Sequence, residues 1–432
     1  MMKIVETRTR AGRLELGALL KSRRGASPDF AALKQVLPVV EDVLRRGEPA
    51  LREYVERFDR PSHPSEKILV DPRQEPSTRV DRSFAAAFRL ARRRIERYHR
   101  KQLSYESSGF SFKDSLGVTF AEKSVPLDSV GVYVPGGRAF YPSSLLMGVV
   151  PARVAGVPRV VVATPPRAWA SSPELRWAAR ELGVDEVLLA GGAHGIAGLV
   201  SVCGVAKIVG PGNRFVAAAK HIVSGLVAVD MPAGPSEVLI VASADADPSL
   251  VAADLLAQAE HDPDATCLLL TDSRRLAAAV QGEVALQIGR FEENVSSKVM
   301  RAALRRGGRI FLFEEISRAV SAGSEIAAEH VQVMGRRAEL LAPSLLPTAG
   351  ALFIGSSTPT ALGDYLAGPN HVLPTGGAAR SFSGLSVRDF LRWGRSVKVP
   401  GDAARRLAPP AAVLARFEGL AAHAAALDRR AP

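Results

Sequence analysis

The feature that most restricts the fold of this 432-residue chain is a regular alternation between residues 129 and 355. Short runs rich in Val, Ile and Leu alternate there with glycine turns and with longer segments of helical apolar spacing. The strand candidates are 129–135, 159–165, 185–192, 206–212, 226–234, 237–243, 266–272, 309–313 and 350–355. Such alternation is typical of parallel sheets covered by helices, so the sequence predicts an α/β fold with two parallel sheets.

The segments on either side have a different character. Residues 30–60 have apolar spacing near 3.6, with Gly47 and Pro49 at the expected junction of two helices. Residues 1–27 are polar and basic, and we expect them to form an arm. After Gly384 the chain is rich in Ala and Arg, and the whole tail, including SVRDFLRWG, is expected to be helical. This tail would be a small separate module or an oligomerisation arm.

The formal charge of +12 raises the question of nucleic-acid binding. Half of the excess lies in residues 81–101, where eight basic and two acidic side chains accompany apolar residues at helical spacing. We interpret this segment as an amphipathic helix with a solvated basic face, in preference to an anion-binding or nucleic-acid-binding patch. No zinc-finger, RNA-binding or repeat motif accompanies it, so we expect no nucleic-acid partner.

Several features bear on the cellular compartment. The N-terminus, MMKIVETRTR, lacks the apolar region of a secretory signal. Residues 187–206 have no Lys, Arg, Asp or Glu, but their five glycines favour a strand, a turn and a buried helix over a membrane span. Cys203 and Cys267 are too few for a disulfide framework and suit a reducing compartment. We therefore expect a cytoplasmic protein with no membrane partner.

Glycine turns follow several strand candidates, at 135–138, 191–195, 210–213 and 232–237. Ligands of open α/β sheets bind at the carboxyl ends of strands, where helix N-termini favour phosphate groups. The pattern predicts a phosphate- or nucleotide-binding protein, although the same glycines also suit plain turns. The fingerprint G-x-G-x-x-G is missing, and its nearest match ends in Phe215 instead of glycine.

Two pairs of polar residues in the middle of the chain could carry chemistry. Gln258 and His261 lie three apart in LLAQAEHDPDA. On one helix face they could ligate a metal ion, although a surface histidine at a helix end is the simpler alternative. Glu329 and His330 are adjacent in EIAAEHVQV. A carboxylate and an imidazole at a helix end suit two separate proton transfers, or form an exposed helix terminus.

Two segments nearer the C-terminus are also unusual. LGDYLAGPNHVLPTGG contains Asp364 and His371 in a Gly/Pro/Asn-rich loop, a kind of segment that often carries function. RFEGLAAHAAAL contains Glu418 and His423, which in isolation fit a tail helix with a polar face. The zinc-peptidase motif HExxH is absent. Because cysteine is scarce, any metal site must use His, carboxylate and amide ligands.

Taken together, these segments resemble the histidinol dehydrogenase family. The resemblance covers residues 30–427 and rests on ten segments in the family's order: VGVYVPGGRAFYPSSLLM, PARVAGV, GGAHGIAGL, KIVGPGNRFVAAAK, DMPAGPSEVLIVA, LLAQAEHDPDA, AAEHVQVM, GDYLAGPNHVLPTGG, SGLSVRDF and EGLAAHAAAL. The resemblance implies a zinc- and NAD-dependent enzyme of the last step of histidine biosynthesis. Such an enzyme oxidises L-histidinol to L-histidine with two NAD in succession, through an enzyme-held aldehyde.

The resemblance also implies an architecture. We expect two incomplete Rossmann-like domains with parallel sheets, in a homodimer whose helical tails are exchanged. The expected parts are an arm (1–27), a first domain carrying zinc and catalytic residues (28–132 plus 237–384), a second domain binding NAD (133–236) and a dimerisation tail (385–432).

Each site residue follows from the family motif that it matches. The zinc ligands, one ion per subunit, would be Gln258, His261, Asp364 and His423. The same four, with Ser236, His330, His371 and Glu418, would contact the substrate. The residues on the NAD side would be Tyr133, His194 and Asn213. Glu329 and His330 would be the catalytic pair.

The implied chemistry suits these residue types. His330 would take protons in both oxidations, with a near-neutral pKa. Glu329 would activate the water that hydrates the aldehyde, provided that burial raises its pKa. Position 194 is His where the family commonly has Gln, and we expect NAD binding to survive with altered geometry. A relative that oxidises another small polyol, such as a dihydroxypropane sulfonate, is the alternative, and Glu418 with His423 favours histidinol over it.

Overall fold

The computed structural model describes residues 2–24, 29–60, 67–76, 78–106, 109–136, 141–231, 234–291 and 295–431. Within them the strands are β1 (Lys3–Glu6), β2 (Leu69–Val70), β3 (Phe110–Lys113), β4 (Thr119–Pro126), β5 (Ser129–Tyr133), β6 (Arg159–Thr164), β7 (Glu186–Leu189), β8 (Lys207–Val209), β9 (Ala228–Val229), β10 (Glu237–Ala242), β11 (Thr266–Thr271), β12 (Gly308–Leu312), β13 (His330–Met334), β14 (Ala351–Ile354) and β15 (Leu391–Lys398). The α-helices are α1 (Arg10–Ser22), α2 (Phe30–Arg46), α3 (Glu48–Tyr54), α4 (Arg82–Glu106), α5 (Pro142–Ala155), α6 (Pro166–Ser171), α7 (Pro173–Glu181), α8 (Gly192–Ser201), α9 (Arg214–Val223), α10 (Pro248–Ala259), α11 (Arg274–Ile288), α12 (Val295–Arg306), α13 (Ile316–Ile326), α14 (Arg336–Leu341), α15 (Thr360–Tyr365), α16 (Gly401–Phe417) and α17 (Ala421–Asp428).

Two sheets organise the fold, as the alternation predicted. Sheet 1 has the order β1-β12-β11-β10-β13-β14, and all of its strands are parallel. Its central strand β10, EVLIVA, is buried along its whole length because helices cover both faces. Sheet 2 has the order β2-β7-β6-β5-β8-β9, and only the pairing of β2 with β7 is antiparallel. The α/β prediction is therefore confirmed.

The packing differs from the predicted domain boundaries. Strand β5 belongs to sheet 2, α2 packs against α8 and α9, and α4 packs against α5. Helices α2 and α4 and strand β5 are thus associated with sheet 2, although α4 also contacts the segment after α15, where the Arg94 guanidinium donates to the Leu366 carbonyl. The reason is the apolar face of α2, where Val36, Val40 and Val43 complete the core beneath α8 and α9.

The first residues are also more than an arm. Strand β1 pairs in parallel with β12 from Lys3↔Arg309 to Glu6↔Leu312 and forms an edge of sheet 1. Val5 packs in the buried core beside that sheet. Backbone pairing over 300 residues away is not visible in a short polar segment, so local composition pointed to an arm.

The tail is helical only in part. The prediction of a helix through SVRDFLRWG was wrong, because Leu391–Lys398 is strand β15. It pairs antiparallel with β4 over its whole length, and β4 pairs with β3. Long-range backbone pairing overrides the local helical pattern there. Helices α16 and α17 do form, and they leave Leu414 and Phe417 largely exposed (66% and 88%).

The basic segment forms helix α4, as predicted, with Phe88, Ala91 and Ile95 buried. Its arginines are used more in packing than a solvated face implies. Arg89 forms an ion pair with Glu181, and the guanidinium of Arg92 donates to the carbonyl of the same residue. These bonds place part of the excess charge in the contact between α4 and the end of α7.

No helix in the described part of the chain is long and apolar enough to cross a membrane. The uncharged stretch 187–206 is instead strand β7, a glycine turn and the buried helix α8, as predicted. The predicted turns at 135–138 and 232–237 include residues outside the described ranges.

The free energy of unfolding is expected to fall below about pH 6.5 because of His99. This imidazole is fully buried, its Nδ1 lies 2.8 Å from the carbonyl oxygen of Ile95, and burial lowers its pKa. Below the ordinary histidine pKa, His99 binds a proton in the unfolded chain but stays neutral in the folded protein. The free energy of unfolding therefore falls as the pH falls. One group contributes a slope of at most about 1.4 kcal/mol per pH unit.

Urea unfolding of the wild type and His99→Gln at pH 7.5 and 5.5 measures this contribution at one protein concentration. The loss between the two pH values should be smaller in His99→Gln. Equal losses in the two proteins would contradict the assignment to His99.

Candidate active site

The catalytic candidates lie where helix α13 gives way to strand β13. The helix ends at Ile326, and Ala327 takes a left-handed conformation (φ 52°) that turns the chain. Glu329 precedes the strand, and His330 is its first residue. Both are buried (6% and 5% exposed), so the exposed helix terminus considered from the sequence is ruled out. The pair lies at the amino-terminal edge of sheet 1, not at the carboxyl ends where the general rule for open sheets points.

A single residue of the neighbouring strand holds both members of the pair. The backbone N–H of Glu237 donates to Glu329 Oε2 over 2.8 Å, and its carbonyl oxygen lies 3.2 Å from His330 Nδ1. The same Nδ1 lies 3.5 Å from Glu329 Oε2. Because Nδ1 faces two acceptors, it carries the proton in neutral His330. The second nitrogen, Nε2, is then the one able to accept a proton.

The pKa of His330 differs from the near-neutral value that the sequence led us to expect. Burial lowers the pKa of His330, but the Glu329 carboxylate and then Asp364 outweigh it and raise the pKa to about 9. The two carboxylates therefore favour the protonated ring, and the neutral ring, which can act as a base, becomes more abundant as pH rises. This is a consequence of two carboxylates meeting one buried imidazole, which the spacing of residues in the chain does not reveal.

Asp364 and His371 complete the cluster around His330. Asp364, in α15, has Oδ1 3.9 Å from His330 Nε2 and 3.5 Å from His371 Nδ1. The ring of His371 also contacts the backbone carbonyl of Asp364 at 3.1 Å. Burial raises the pKa of Asp364, but the hydrogen bond from His371 and the nearby histidine charges lower it overall. The charge of His261 contributes to this lowering.

Gln258 and His261 do not share a helix face, because α10 ends at Ala259 between them. The Gln258 side chain is buried (4% exposed) and makes no hydrogen bond to any described residue. Its amide atoms keep access to solvent, so the amide oxygen is open to an external ligand. His261 is exposed just beyond the helix. In the described ranges, no three His, Cys, Asp or Glu side chains are grouped so as to hold a metal ion.

The remaining substrate candidates divide into two groups. Ser236 is half-buried directly before β10, one residue from the peptide that holds the catalytic pair. Glu418 is the C-cap of α16, and His423 lies in α17. Both tail side chains are exposed, and neither forms a hydrogen bond or ion pair with the cluster within the described chain. The structure of one chain therefore does not bring them together with Asp364.

The candidates for the NAD side lie at the carboxyl ends of the strands of sheet 2, whereas the catalytic candidates lie at the amino-terminal edge of sheet 1. Tyr133 ends β5, and its hydroxyl accepts a hydrogen bond of 3.0 Å from Gly192 N at the start of α8. Asn213 is the N-cap of α9 and accepts from the backbone of Phe215 and Val216. Its side chain is exposed next to the Gly210 turn.

His194 is engaged by a residue that the sequence did not single out. Its Nε2 lies 2.8 Å from Asp59 Oδ2; the His194 side chain is buried, and that of Asp59 is 10% exposed. The same carboxylate oxygen accepts from Gly191 N over 2.9 Å. Asp59 thus joins the end of a π-helical turn (Val55–Asp59) to the start of α8. No spacing in the sequence links residues 59 and 194.

A second unpredicted pair shapes the Gly210 turn. Lys220 and Asp230 form a buried ion pair that contacts the backbone of Gly210 on both sides. Asp230 Oδ2 accepts a hydrogen bond from Gly210 N over 2.7 Å, and Lys220 Nζ donates to the Gly210 carbonyl oxygen over 3.0 Å. Gly210 has φ +115°, and a Cβ there would lie 2.3 Å from the Tyr133 carbonyl oxygen. Only glycine allows this close approach.

Comparison with known proteins gives the family. The histidinol dehydrogenase family model matches residues 22–431. The chain is 41% identical to histidinol dehydrogenase of Agrobacterium fabrum over 422 residues and 42% identical to that of Bradyrhizobium diazoefficiens over 419 residues. These matches cover 96% of this chain in each case, and 96% and 95% of the two relatives. The chain belongs to the histidinol dehydrogenase family.

Solved structures agree with this membership. Histidinol dehydrogenase from Elizabethkingia anophelis has a TM-score of 0.85 at 30% identity, covering 99% of this chain and 98% of that one. A betaine aldehyde dehydrogenase from Staphylococcus aureus has a TM-score of 0.52 at 12% identity, over 88% of this chain and 87% of that one, and shares the fold alone. Members of the histidinol dehydrogenase family are oxidoreductases of the last step of histidine biosynthesis.

Proposed function

We propose that this chain oxidises L-histidinol to L-histidine through enzyme-bound L-histidinal, using two NAD per turnover. The observation that carries the proposal is the buried Glu329–His330 pair, held by one strand beside Asp364 and His371 in a member of the histidinol dehydrogenase family. An imidazole beside two carboxylates supplies the proton transfers that both oxidations and the intervening hydration need.

The residues present fit one zinc ion per subunit. The amide oxygen of Gln258, the carboxylate of Asp364 and the imidazole nitrogen of His261 are a nitrogen and oxygen donor set of the type that zinc accepts. We assign Gln258, His261 and Asp364 of one chain and His423 of a second chain as the ligands. When bound, zinc supplies a fixed positive charge that orients the imidazole and amine of the substrate.

The carboxyl edge of sheet 2 fits the dinucleotide. Tyr133, His194 and Asn213 meet there beside the N-termini of α8 and α9, where backbone N–H groups favour phosphate. When bound, NAD accepts the two electrons and the hydrogen that leave the substrate carbon in each oxidation. Asp59 holds His194 at this edge, which supports NAD binding with His in place of the commoner Gln.

The protein's own groups then move the protons. His330 Nε2 takes the hydroxyl proton of L-histidinol in the first oxidation. Glu329 takes a proton from the water that adds to the aldehyde, while His330 returns its proton to the carbonyl oxygen, which gives the hydrate and a neutral imidazole. His330 then takes the proton of the hydrate hydroxyl in the second oxidation. Ser236 and His371 line the substrate side, and Glu418 of a second chain pairs with the cationic amine.

A homodimer with exchanged tails would bring the missing groups to the cleft. Within one chain Glu418 and His423 are exposed and separate from the cluster, whereas the tail carries exposed apolar side chains such as Leu414 and Phe417. Burying this face against a second copy would remove apolar surface from water. The biosynthetic family supports a cytoplasmic location.

An assay of NAD reduction with L-histidinol at pH 9 tests the function. We expect two NADH for each L-histidinol consumed, loss of activity with a chelator and recovery with zinc. Zinc-loaded protein that is inactive with L-histidinol would contradict the proposal. Activity confined to a polyol such as dihydroxypropane sulfonate would assign the chain to that alternative chemistry.

A further inference from the structure

The N-terminal helix reaches the catalytic pair through one buried ion pair. Arg23, the residue directly after α1, donates from Nη1 to Glu237 Oε1. The two side chains are 8% and 6% exposed. Desolvation makes such pairs expensive, and they are weak evidence for stability by themselves. The Arg23–Glu237 ion pair is therefore better explained by the backbone that it fixes than by its contribution to stability.

One member of this ion pair, Glu237, also orients the catalytic candidates Glu329 and His330 through its backbone. The two peptide groups flanking the Glu237 Cα make both contacts to the pair: the N–H to Glu329 Oε2 at 2.8 Å and the carbonyl to His330 Nδ1 at 3.2 Å. A small rotation of the Glu237 backbone would therefore move the carboxylate and the imidazole together. It would also break the hydrogen bond from His330 Nδ1 to the Glu237 carbonyl oxygen. This hydrogen bond keeps the proton of the neutral ring on Nδ1 and leaves Nε2 free to act as the base.

The same pair ties down the loop that follows His371. Gly376 N donates to Glu237 Oε1 over 3.1 Å, and Arg380 Nη1 donates to the Arg23 carbonyl over 2.8 Å. At Gly377 a Cβ would lie 2.4 Å from that carbonyl oxygen, so the loop backbone and the end of α1 are in close approach. Three segments distant in sequence thus meet at Arg23 and Glu237.

We propose that the Arg23–Glu237 ion pair is a positioning device for the reaction: it fixes the Glu237 backbone that orients Glu329 and His330, and joins the Gly376 loop to the same point. The inference rests on the proposed function for the roles of Glu329 and His330. Arg23 and Glu237 are positioning residues, since they act by orienting Glu329 and His330 and do not contact the substrate. The N-terminal segment is accordingly part of the active-site structure.

Arg23→Ala and its neighbour Arg24→Ala form a matched test in the full-length, zinc-loaded enzyme. Arg24 pairs with Glu325 on the surface, so Arg24→Ala should keep wild-type kcat. Arg23→Ala should lower kcat by about 10–100-fold, the usual effect of losing an outer-shell partner. The KM for L-histidinol should stay within about twofold, and added guanidinium should restore part of kcat. Wild-type kcat in Arg23→Ala, or a loss without guanidinium rescue, would overturn the proposal.

Glu237→Gln keeps the test open if Arg23→Ala does not fold. Glutamine retains the shape and an oxygen for Gly376 N but loses the ion pair. Its kcat should also fall at an unchanged KM, and an unchanged kcat would refute the positioning role.

The ring signals of His330 provide a readout that does not need turnover. In protein labelled at histidine ring carbons, the His330 signal should shift in Arg23→Ala or Glu237→Gln and stay in place in Arg24→Ala. An unmoved signal in the first two variants would contradict positioning. Wild-type protein that fails to oxidise L-histidinol would instead contradict the proposed function, while the ring signals would still decide the inference.

Discussion

Replacing His330 by asparagine is expected to lower turnover of both L-histidinol and L-histidinal by about 10²–10⁴-fold, the usual contribution of a positioned acid–base group. Asparagine can still donate an N–H toward the Glu237 carbonyl, but it has no nitrogen able to take a proton in place of Nε2. Stopped-flow NADH formation from each substrate at saturating NAD measures the two steps separately.

His221→Asn is the matched control for this substitution. His221 lies exposed in the last turn of α9, away from the cluster, and its replacement should leave both rates unchanged. If His330→Asn keeps more than a tenth of the wild-type rate in either step, His330 is not the base of that step.

The rate of the wild-type enzyme should depend on pH in the direction set by the same imidazole. Because Glu329 and Asp364 outweigh burial and raise the pKa of His330 to about 9, the neutral form becomes more abundant as pH rises. The kcat of the first oxidation should therefore increase between pH 7 and 9. A profile flat over this range would show that proton transfer to His330 does not limit the step.

Mixing two inactive variants is expected to restore activity if the tails are exchanged. In a dimer of His423→Ala with Glu329→Gln, exchanged tails give one site with both wild-type groups and one site with neither. The purified mixed dimer should then have about half of wild-type activity, because one of its two sites is intact, and an unfractionated random mixture should have about a quarter. Each variant alone should remain near background.

The mixture is prepared by joint refolding or co-expression with two affinity tags, and activity is measured on the doubly purified dimer. Two copies of the same variant treated in the same way provide the control. If the mixed dimer forms without regaining activity, the groups come from one chain, and exchange of His423 between subunits is ruled out.

The structure also corrects how the sequence was divided. Helix α2 packs with sheet 2 because its apolar face meets α8 and α9, a contact between residues that lie more than 140 positions apart. Strand β15 was mistaken for a helix because its partner β4 lies over 260 residues earlier in the chain. Local patterns predict elements well, whereas pairing between distant elements has no local signal.

The sequence alone determined the α/β class, most strands of the two sheets, the arginine-rich helix and, through its resemblance to a family, the residues worth examining. These follow from periodicity and motif, which are properties of neighbouring residues. Only the tertiary structure decided that one backbone position, Glu237, holds both Glu329 and His330, and that Arg23, 214 residues earlier, holds Glu237. It also decided the charge of His330, because a pKa depends on which buried carboxylates surround the ring and on water being excluded, and both arise when distant segments pack together.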